Sequence, residues 1–256
     1  MAGRLLRVLA LFLFAFLDFI FRLQLRGRAR SIHHRALWLR RWANQFRLAM
    51  AIDVTVRGRP PERGLLTANH LGYADIVVLG SLQPVVFVSK SEVANWPVVG
   101  PLTRCAGTLY IIRSQKSDVV RMGDEIMAVV EAGVAVTLFL EGTSSDGTEV
   151  LPFRSSLLAP AEARGWPATP AWIHYELEPG DGSVGEEICY WRDMTFGKHL
   201  LNLLSKRRIR AVVCFGDPVT GLADRKLLAA ELHRQVCRLK DEYLSGNTVN
   251  VVGVGK

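Results

Sequence analysis

From Ile52 to Leu244, short runs of apolar residues alternate with segments of helical periodicity, and this alternation restricts the fold more than any other feature. The runs that predict strands are Ile52–Arg57, Gly64–Ala68, Val85–Ser89, Thr108–Ile112, Val134–Leu140, Ala168–Tyr175 and Ile209–Phe215. The segments that predict helices are Asp75–Ser81, Val93–Thr103, Lys116–Ala132, Phe153–Arg164, Phe196–Leu204 and Asp224–Leu244. Short apolar strands separated by helices are typical of a sheet that is buried on both faces. The sequence therefore predicts the α/β class, with a mixed, largely parallel central sheet covered by helices.

The positive charge of the protein is concentrated at its N-terminus. The 256 residues carry a net charge of +8. Residues 1–50 contain ten arginines, no lysine and a single acid, Asp18, so they carry +9 and the remaining residues sum to −1. A basic protein suggests a nucleic-acid ligand, but here the part that predicts a folded domain is nearly neutral. We therefore expect no nucleic-acid partner and a different anionic partner for the first fifty residues.

The same N-terminal segment is strongly apolar. The run from Val8 to Phe21 is interrupted only by Asp18. Its fourteen residues would extend about 21 Å as a helix, less than the ~30 Å hydrocarbon core of a bilayer. A secretory signal peptide is the alternative, but four further arginines follow the run and no A-x-A-like cleavage site is present. Arginines on both sides suit anionic lipid headgroups, so the sequence predicts a helix that lies in the membrane interface or is half inserted.

A second helix is predicted from Ile32 to Ala51. The residues that recur every four positions along it form one stripe: Trp38, Trp42, Phe46 and Met50. This stripe is compatible with packing on the core of the domain and with contact to the membrane.

These patterns divide the protein into three parts. Residues 1–51 form a membrane-associating helical pair, residues 52–244 an α/β domain and residues 245–256 a loose tail. The segment from Leu177 to Asp193 has little periodicity and predicts a long loop. The four cysteines are widely spaced without a C-x-x-C pair, and the six histidines lack metal-ligand spacing. We therefore expect reduced thiols in a cytosolic compartment and no metal site.

The first candidate site follows the predicted strand that ends at Ala68. Asn69 and His70 come directly after this strand, and Asp75 opens the next helix. His70 and Asp75 are five residues apart, about 140° around an ideal helix, so a regular helix would not pair them. They can meet if His70 stays in the turn, with Gly72 relaxing the backbone between them. Asp75 would then orient the imidazole and leave its other nitrogen as a general base; a capping aspartate beside a structural histidine is the alternative.

Two further strand ends carry polar residues. The loop from Glu141 to Gly147 contains a carboxylate, two glycines and hydroxyl side chains, which suit a phosphate or a polyol; a glycine turn with hydroxyl caps is the alternative. The strand after Gly107 ends in Arg113, which is compatible with a phosphate ligand or a surface charge.

Together these motifs resemble the glycerolipid acyltransferases, most of all the bacterial 1-acyl-sn-glycerol-3-phosphate acyltransferases. Three elements carry the resemblance, in the order and approximate spacing of the family: Asn69-His70 with Asp75, Gly107 to Arg113, and Glu141-Gly142-Thr143. The similarity extends roughly from Ile52 to Val219. Members of this family carry an N-terminal amphipathic helix pair that dips into one leaflet, as expected here for residues 1–51.

The resemblance implies a mechanism and a location. His70, paired with Asp75, would take the proton from the sn-2 hydroxyl of 1-acyl-sn-glycerol 3-phosphate, whose oxygen attacks the thioester of acyl-CoA or acyl carrier protein to give phosphatidic acid. No cofactor or metal is required beyond this donor substrate. The enzyme would act on lipids at the cytoplasmic face of a bacterial inner membrane. A membrane-binding protein that keeps the lipid pocket without catalysis is the less favoured alternative.

The remaining roles implied by the resemblance concern the acceptor. Arg113 would hold its phosphate, and the other acceptor-binding residues would be Asn69, Glu141, Gly142, Thr143 and Arg154. The third motif usually reads F-P-E-G-T-R-S, but Ser144 stands here in place of the arginine, with Asp146 close behind. Arg154 is the candidate replacement for the missing cation. The altered motif looks like that of a subgroup that includes lyso-ornithine lipid acyltransferases, whose acceptor carries an ammonium group that Asp146 would suit.

Overall fold

The computed structural model describes residues 2–112, 115–222, 224–246 and 251–252. Within these residues the strands are β1 (Ile52–Arg57), β2 (Leu65–Ala68), β3 (Val85–Lys90), β4 (Leu109–Ile111), β5 (Ala135–Leu138), β6 (Ala168–Leu177), β7 (Ile209–Phe215) and β8 (Val251–Val252). The α-helices are α1 (Ala2–Asp18), α2 (Ile32–Ala49), α3 (Tyr73–Leu82), α4 (Val99–Ala106), α5 (Lys116–Glu131), α6 (Ala159–Arg164), α7 (Val184–Glu187), α8 (Phe196–Ser205) and α9 (Arg225–Leu244).

The described strands form one mixed sheet in the order β4-β3-β5-β2-β6-β7-β1-β8. The five strands from β4 to β6 are parallel, β7 pairs antiparallel with β6, and β1 runs parallel to β7. One hydrophobic core lies on each face, because neighbouring residues of a strand point to opposite sides: Leu66 packs in one core and Leu65 in the other. The predicted α/β class with a mostly parallel sheet is confirmed.

Two predicted helices are shorter than expected. The segment predicted as Val93–Thr103 is a 3₁₀ turn over Ser91–Asn95 followed by α4, because the backbone breaks at Pro97 and Val98 takes a positive φ of 65°. The segment predicted from Phe153 to Arg164 becomes helical only at Ser156, as a 3₁₀ turn that leads into α6. The long loop predicted from Leu177 to Asp193 contains the single-turn helix α7.

Beyond residue 246, the structure describes only β8, which pairs antiparallel with β1. The rest of the segment predicted as a loose tail, residues 247–250 and 253–256, lies outside the described residues.

The N-terminal residues form a helix pair that is attached to the domain. A π-helical turn, Phe19–Gln24, continues α1 and leads to α2. Trp38, Trp42 and Met50 of the aromatic stripe are buried, so the stripe packs against protein. Asp18 accepts a hydrogen bond from the Trp42 indole at 2.9 Å and pairs with Arg22 at 2.7 Å, which accounts for the single acid in the apolar run.

The outer face of α1 and of the π-helical turn is apolar and exposed. Its large exposed side chains are Leu6, Leu9, Leu13, Phe14, Phe16, Leu17 and Phe21. Among the described residues, no helix combines the length and the apolarity needed to cross a bilayer.

Candidate active site

The turn after β2 brings His70 and Asp75 together. His70 lies in the turn, Gly72 caps α3, and Asp75 is the third residue of that helix. Gly72 has a φ of 154°, and a Cβ atom there would lie 2.8 Å from the Tyr190 backbone nitrogen, so only glycine fits. The turn places His70 Nδ1 2.8 Å from Asp75 Oδ2. The sequence motif thus folds into the paired geometry that a regular helix would forbid.

Asp75 is completely buried, with an exposed fraction of 0%, and four donors surround its carboxylate. Oδ2 accepts from His70 Nδ1 and from the backbone N–H groups of Leu71 at 2.7 Å and Gly72 at 3.0 Å. Oδ1 accepts from the hydroxyl group of Tyr175 at 2.8 Å. An ionised carboxylate accepts only, so this set of donors requires a proton on His70 Nδ1; in the neutral imidazole, Nε2 then keeps its lone pair.

The imidazole of His70 is held in place but reaches the surface. Its side chain is 22% exposed, and its ring stacks on Phe139 with 4.0 Å between the ring centres. Among the described residues, Nε2 has no hydrogen-bond partner. A partly exposed nitrogen with a lone pair, backed by a buried carboxylate, is suited to take a proton from a substrate hydroxyl group.

Glu141 lies behind the histidine, with an exposed fraction of 3%. Its Oε2 accepts from the backbone N–H of His70 and its Oε1 from that of Leu151, both at 3.1 Å. Burial raises its pKa to about 8, although the two N–H donors lower it; the nearby Asp75 raises it further. Both oxygens of Glu141 thus hold the protein backbone, while contact with the acceptor stays a prediction.

Hydrogen bonds connect three segments around the pair. The Ser145 N–H donates to the His70 carbonyl at 2.9 Å, and the Tyr190 N–H donates to the Leu71 carbonyl at 2.8 Å. The Ser144 hydroxyl group donates to the Tyr190 carbonyl at 2.6 Å. The turn between β2 and α3 (residues 69–72, here called the motif turn), the loop after β5 and the segment that follows α7 therefore form one connected unit.

The other predicted acceptor-binding residues are spread around this unit. The Asn69 amide is buried and exchanges hydrogen bonds of 2.7 and 3.0 Å with the Ile173 backbone. Gly142 and Arg154 line one pocket of about 90 Å³, and Phe139 forms part of its wall. Thr143 is exposed in the same loop. Arg113 lies outside the described residues.

Two residues that the motifs do not identify contribute to the geometry. Tyr175 comes from β6, and the sequence does not distinguish it from other polar side chains of that strand such as His174 and Glu176. Phe139 supports the His70 ring from the end of β5, and nothing in the sequence distinguishes it from a core residue.

An imidazole backed by a buried carboxylate, at the carboxyl edge of parallel strands, is an arrangement suited to general-base chemistry. Comparisons with known proteins agree: a family model described as Acyltransferase matches residues 52–174. A lyso-ornithine lipid O-acyltransferase of Rhodobacter capsulatus is 37% identical over 71% of this chain and 67% of its own length. A 1-acyl-sn-glycerol-3-phosphate acyltransferase of Neisseria gonorrhoeae is 29% identical over 58% of this chain and 63% of its own.

The fold has also been seen in a crystal structure. The 1-acyl-sn-glycerophosphate acyltransferase PlsC of Thermotoga maritima aligns with 93% of this chain and 98% of its own, at a TM-score of 0.58 and 20% identity. The chain belongs to the acyltransferase family, and it is an enzyme that acts as an acyltransferase. The family membership predicted from the three motifs is thereby confirmed.

Proposed function

We propose that this enzyme moves a fatty acyl group from acyl-CoA or acyl carrier protein to the free hydroxyl group of a lysolipid, with His70 as the general base and Asp75 as its partner. The observation that carries the proposal is the 2.8 Å contact between His70 Nδ1 and the buried Asp75, which leaves Nε2 with a lone pair.

In this mechanism His70 Nε2 takes the proton of the acceptor hydroxyl group as its oxygen attacks the thioester carbonyl carbon. The new C–O bond forms, the C–S bond breaks, and the imidazolium returns its proton to the departing thiolate. Asp75 stabilises the imidazolium while it exists. The protein itself forms no covalent intermediate with the acyl group in this scheme.

For the acceptor, we propose lyso-ornithine lipid. Ser144 occupies the position of the motif arginine, and its hydroxyl group is engaged by the Tyr190 carbonyl. Two residues further on, the N–H and hydroxyl groups of Thr148 lower the pKa of Asp146, so this loop offers a negative charge for an ammonium group. The relative from Rhodobacter capsulatus, which is named for this acceptor, supports the assignment.

Lysophosphatidic acid, the acceptor first predicted from the motifs, is the second candidate. Arg154 favours it, because this cation lines the pocket beside Gly142 and could bind a phosphate group. The relative from Neisseria gonorrhoeae, named for that acceptor, supports this candidate.

We also propose that residues 1–51 bind the cytoplasmic face of the membrane. The exposed apolar side chains of α1 would enter the lipid interface, and the flanking arginines would contact anionic headgroups. This location would bring the acceptor lipid to His70 while the water-soluble donor approaches from the cytosol.

The test of the chemistry is release of CoA thiol from palmitoyl-CoA in mixed micelles that contain the acceptor lipid. We expect His70→Ala to reduce kcat by ~10²–10⁴, because a positioned base contributes about that much. His33→Ala, which removes an exposed histidine of α2, should leave the rate unchanged. A His70→Ala rate within a few-fold of wild type would rule out the base assignment.

The test of the acceptor compares lyso-ornithine lipid with lysophosphatidic acid. Wild type should acylate lyso-ornithine lipid faster, and Ser144→Arg should shift the ratio of kcat/KM values toward lysophosphatidic acid by about tenfold, as one charge-assisted hydrogen bond would. Ser205→Arg adds the same charge on an exposed part of α8 and should not change the ratio. Wild-type turnover of lysophosphatidic acid alone would refute the lyso-ornithine assignment without affecting the role of His70.

A further inference from the structure

Tyr175 is buried in the sheet, yet its hydroxyl group reaches the candidate catalytic pair. The residue belongs to β6 and has an exposed fraction of 1%. Its hydroxyl group donates to Asp75 Oδ1 across 100 positions of sequence. The residue therefore combines a structural position in the core with a polar contact to the residue that orients His70.

The two oxygens of Asp75 depend on different partners. Oδ2 has three donors, namely His70 Nδ1 and two backbone N–H groups. Among the described residues, Oδ1 has only the Tyr175 hydroxyl group. A buried carboxylate oxygen without a donor is costly, so loss of the phenol favours other orientations of the carboxylate.

The direction of this hydrogen bond is determined by chemistry. An ionised carboxylate has no proton to give, so the phenol must be the donor. Burial, and then the adjacent negative charge of Asp75, raise the pKa of Tyr175 well above its ordinary value, so its hydroxyl group keeps its proton throughout the working pH range.

The sheet topology explains why Tyr175 reaches Asp75. β6 pairs with β2 as far as Ala171 and then continues beside the motif turn, where its other edge pairs with β7. On the edge that faces the turn, the backbone of Ile173 holds the Asn69 amide. Two residues further on, Tyr175 holds Asp75, so one strand fixes both ends of the motif.

We propose that Tyr175 is a positioning residue of the acyl-transfer reaction, which holds Asp75 Oδ1 so that Oδ2 faces His70 Nδ1. This inference rests on the proposed roles of His70 and Asp75. The Tyr175 hydroxyl group acts through Asp75, at the far side of the carboxylate from the imidazole.

The other titratable groups that interact electrostatically with Asp75 or Tyr175 come from three elements. They are Tyr73 of α3, Glu141 of the loop after β5, and Cys189 of the segment after α7. Burial raises the pKa of all three, to about 8 for Glu141 and about 12 for Cys189, and beyond that range for Tyr73. All three pKa values lie above 7, so none of these groups accounts for an acidic limb of the rate profile between pH 5 and 7.

The test uses Tyr175→Phe in the full-length enzyme, with palmitoyl-CoA and whichever of the two lysolipids wild type acylates. We expect kcat to fall about tenfold with KM within about twofold of wild type, because the lost hydrogen bond orients the base and touches neither substrate. Without the phenol donor the carboxylate becomes a stronger acceptor for Nδ1–H, and the imidazole binds a proton more readily. The acidic limb of the kcat/KM profile should therefore move to higher pH by about half a unit.

A matched control and a double variant separate positioning from packing. In Tyr243→Phe another tyrosine loses a hydrogen bond to a carboxylate, that of Glu176 at 2.7 Å, and we expect no change in rate or profile. In the Asp75→Asn background, Tyr175→Phe should change kcat by less than about twofold, because its effect passes through the carboxylate. Thermal unfolding of each variant confirms that it is folded.

Three results would overturn the proposal: a Tyr175→Phe kcat within twofold of wild type, an acidic limb that stays in place or moves to lower pH, or an undiminished effect in the Asp75→Asn background. These results are distinguishable from failure of the base assignment. If His70 is not the base, the His70→Ala variant keeps its activity, whatever the result for Tyr175→Phe.

Discussion

Burial of Glu141 should make the stability of this enzyme fall as the pH rises. Its pKa is about 8 in the folded protein and 4.5 for an ordinary glutamate. Between these two values the folded state keeps a proton that the unfolded state releases. Each unit of this gap corresponds to about 1.4 kcal/mol, so the free energy of unfolding should decrease by about 5 kcal/mol from pH 4.5 to pH 8 through this one group.

Glu141→Gln removes the titration while preserving the shape of the side chain. At pH 5 the variant should be less stable than wild type by about 1–3 kcal/mol. The glutamine NH₂ group would face the backbone N–H of either His70 or Leu151, so two donors would oppose each other and one hydrogen bond would be lost. At pH 9 wild type alone bears the cost of a buried carboxylate. The two stability curves should therefore cross, and the variant should be the more stable protein at pH 9.

Urea unfolding in detergent at pH 5, 7 and 9, followed by tryptophan fluorescence, measures both curves. Glu149→Gln, an exposed carboxyl group in the same loop, is the matched control and should run parallel to wild type. A difference between wild type and Glu141→Gln that stays constant within about 0.5 kcal/mol from pH 5 to pH 9 would show that Glu141 is ionised in the folded protein, and the reasoning from burial would be wrong.

Two further predictions concern the backbone and the membrane. Gly72→Ala should lower the free energy of unfolding by about 1–3 kcal/mol and reduce activity, because the new Cβ atom would collide with the Tyr190 backbone. Gly197→Ala is the control, since a Cβ atom there meets no other atom. Equal unfolding midpoints for the two variants would contradict the argument. Leu13→Glu combined with Phe14→Glu should reduce sedimentation with anionic vesicles at least tenfold without changing the unfolding temperature in detergent, and unaltered sedimentation would disprove membrane contact through α1.

The sequence predicts well the features that depend on local pattern. Strands such as β2 and β5 are short, mostly apolar runs, and their length favours a buried strand over a buried helix. The meeting of His70 and Asp75 is also predictable, because a glycine in the five-residue spacing allows the turn.

Features that depend on long-range placement are not predictable in this way. Tyr175 reaches Asp75 only because β6 extends beyond the end of β2, and strand length relative to a neighbour is a property of the whole sheet. The inward orientation of Glu141 likewise depends on the N–H groups of His70 and Leu151, which come from separate segments. The division of the predicted Val93–Thr103 helix follows from the positive φ of Val98, which a β-branched residue rarely adopts.

The extension of β6 beyond β2 has a consequence for how the enzyme moves. Asn69 and Asp75 both form hydrogen bonds with β6 inside the sheet, so the imidazole–carboxylate pair is already formed in the protein without substrate. Substrate binding energy is then not needed to assemble the imidazole–carboxylate pair. The amide protons of Ile173 and its neighbours should exchange among the slowest in the protein. In the proposed reaction, slow motions during turnover would then accompany binding of the acceptor from the membrane and of the acyl donor from water.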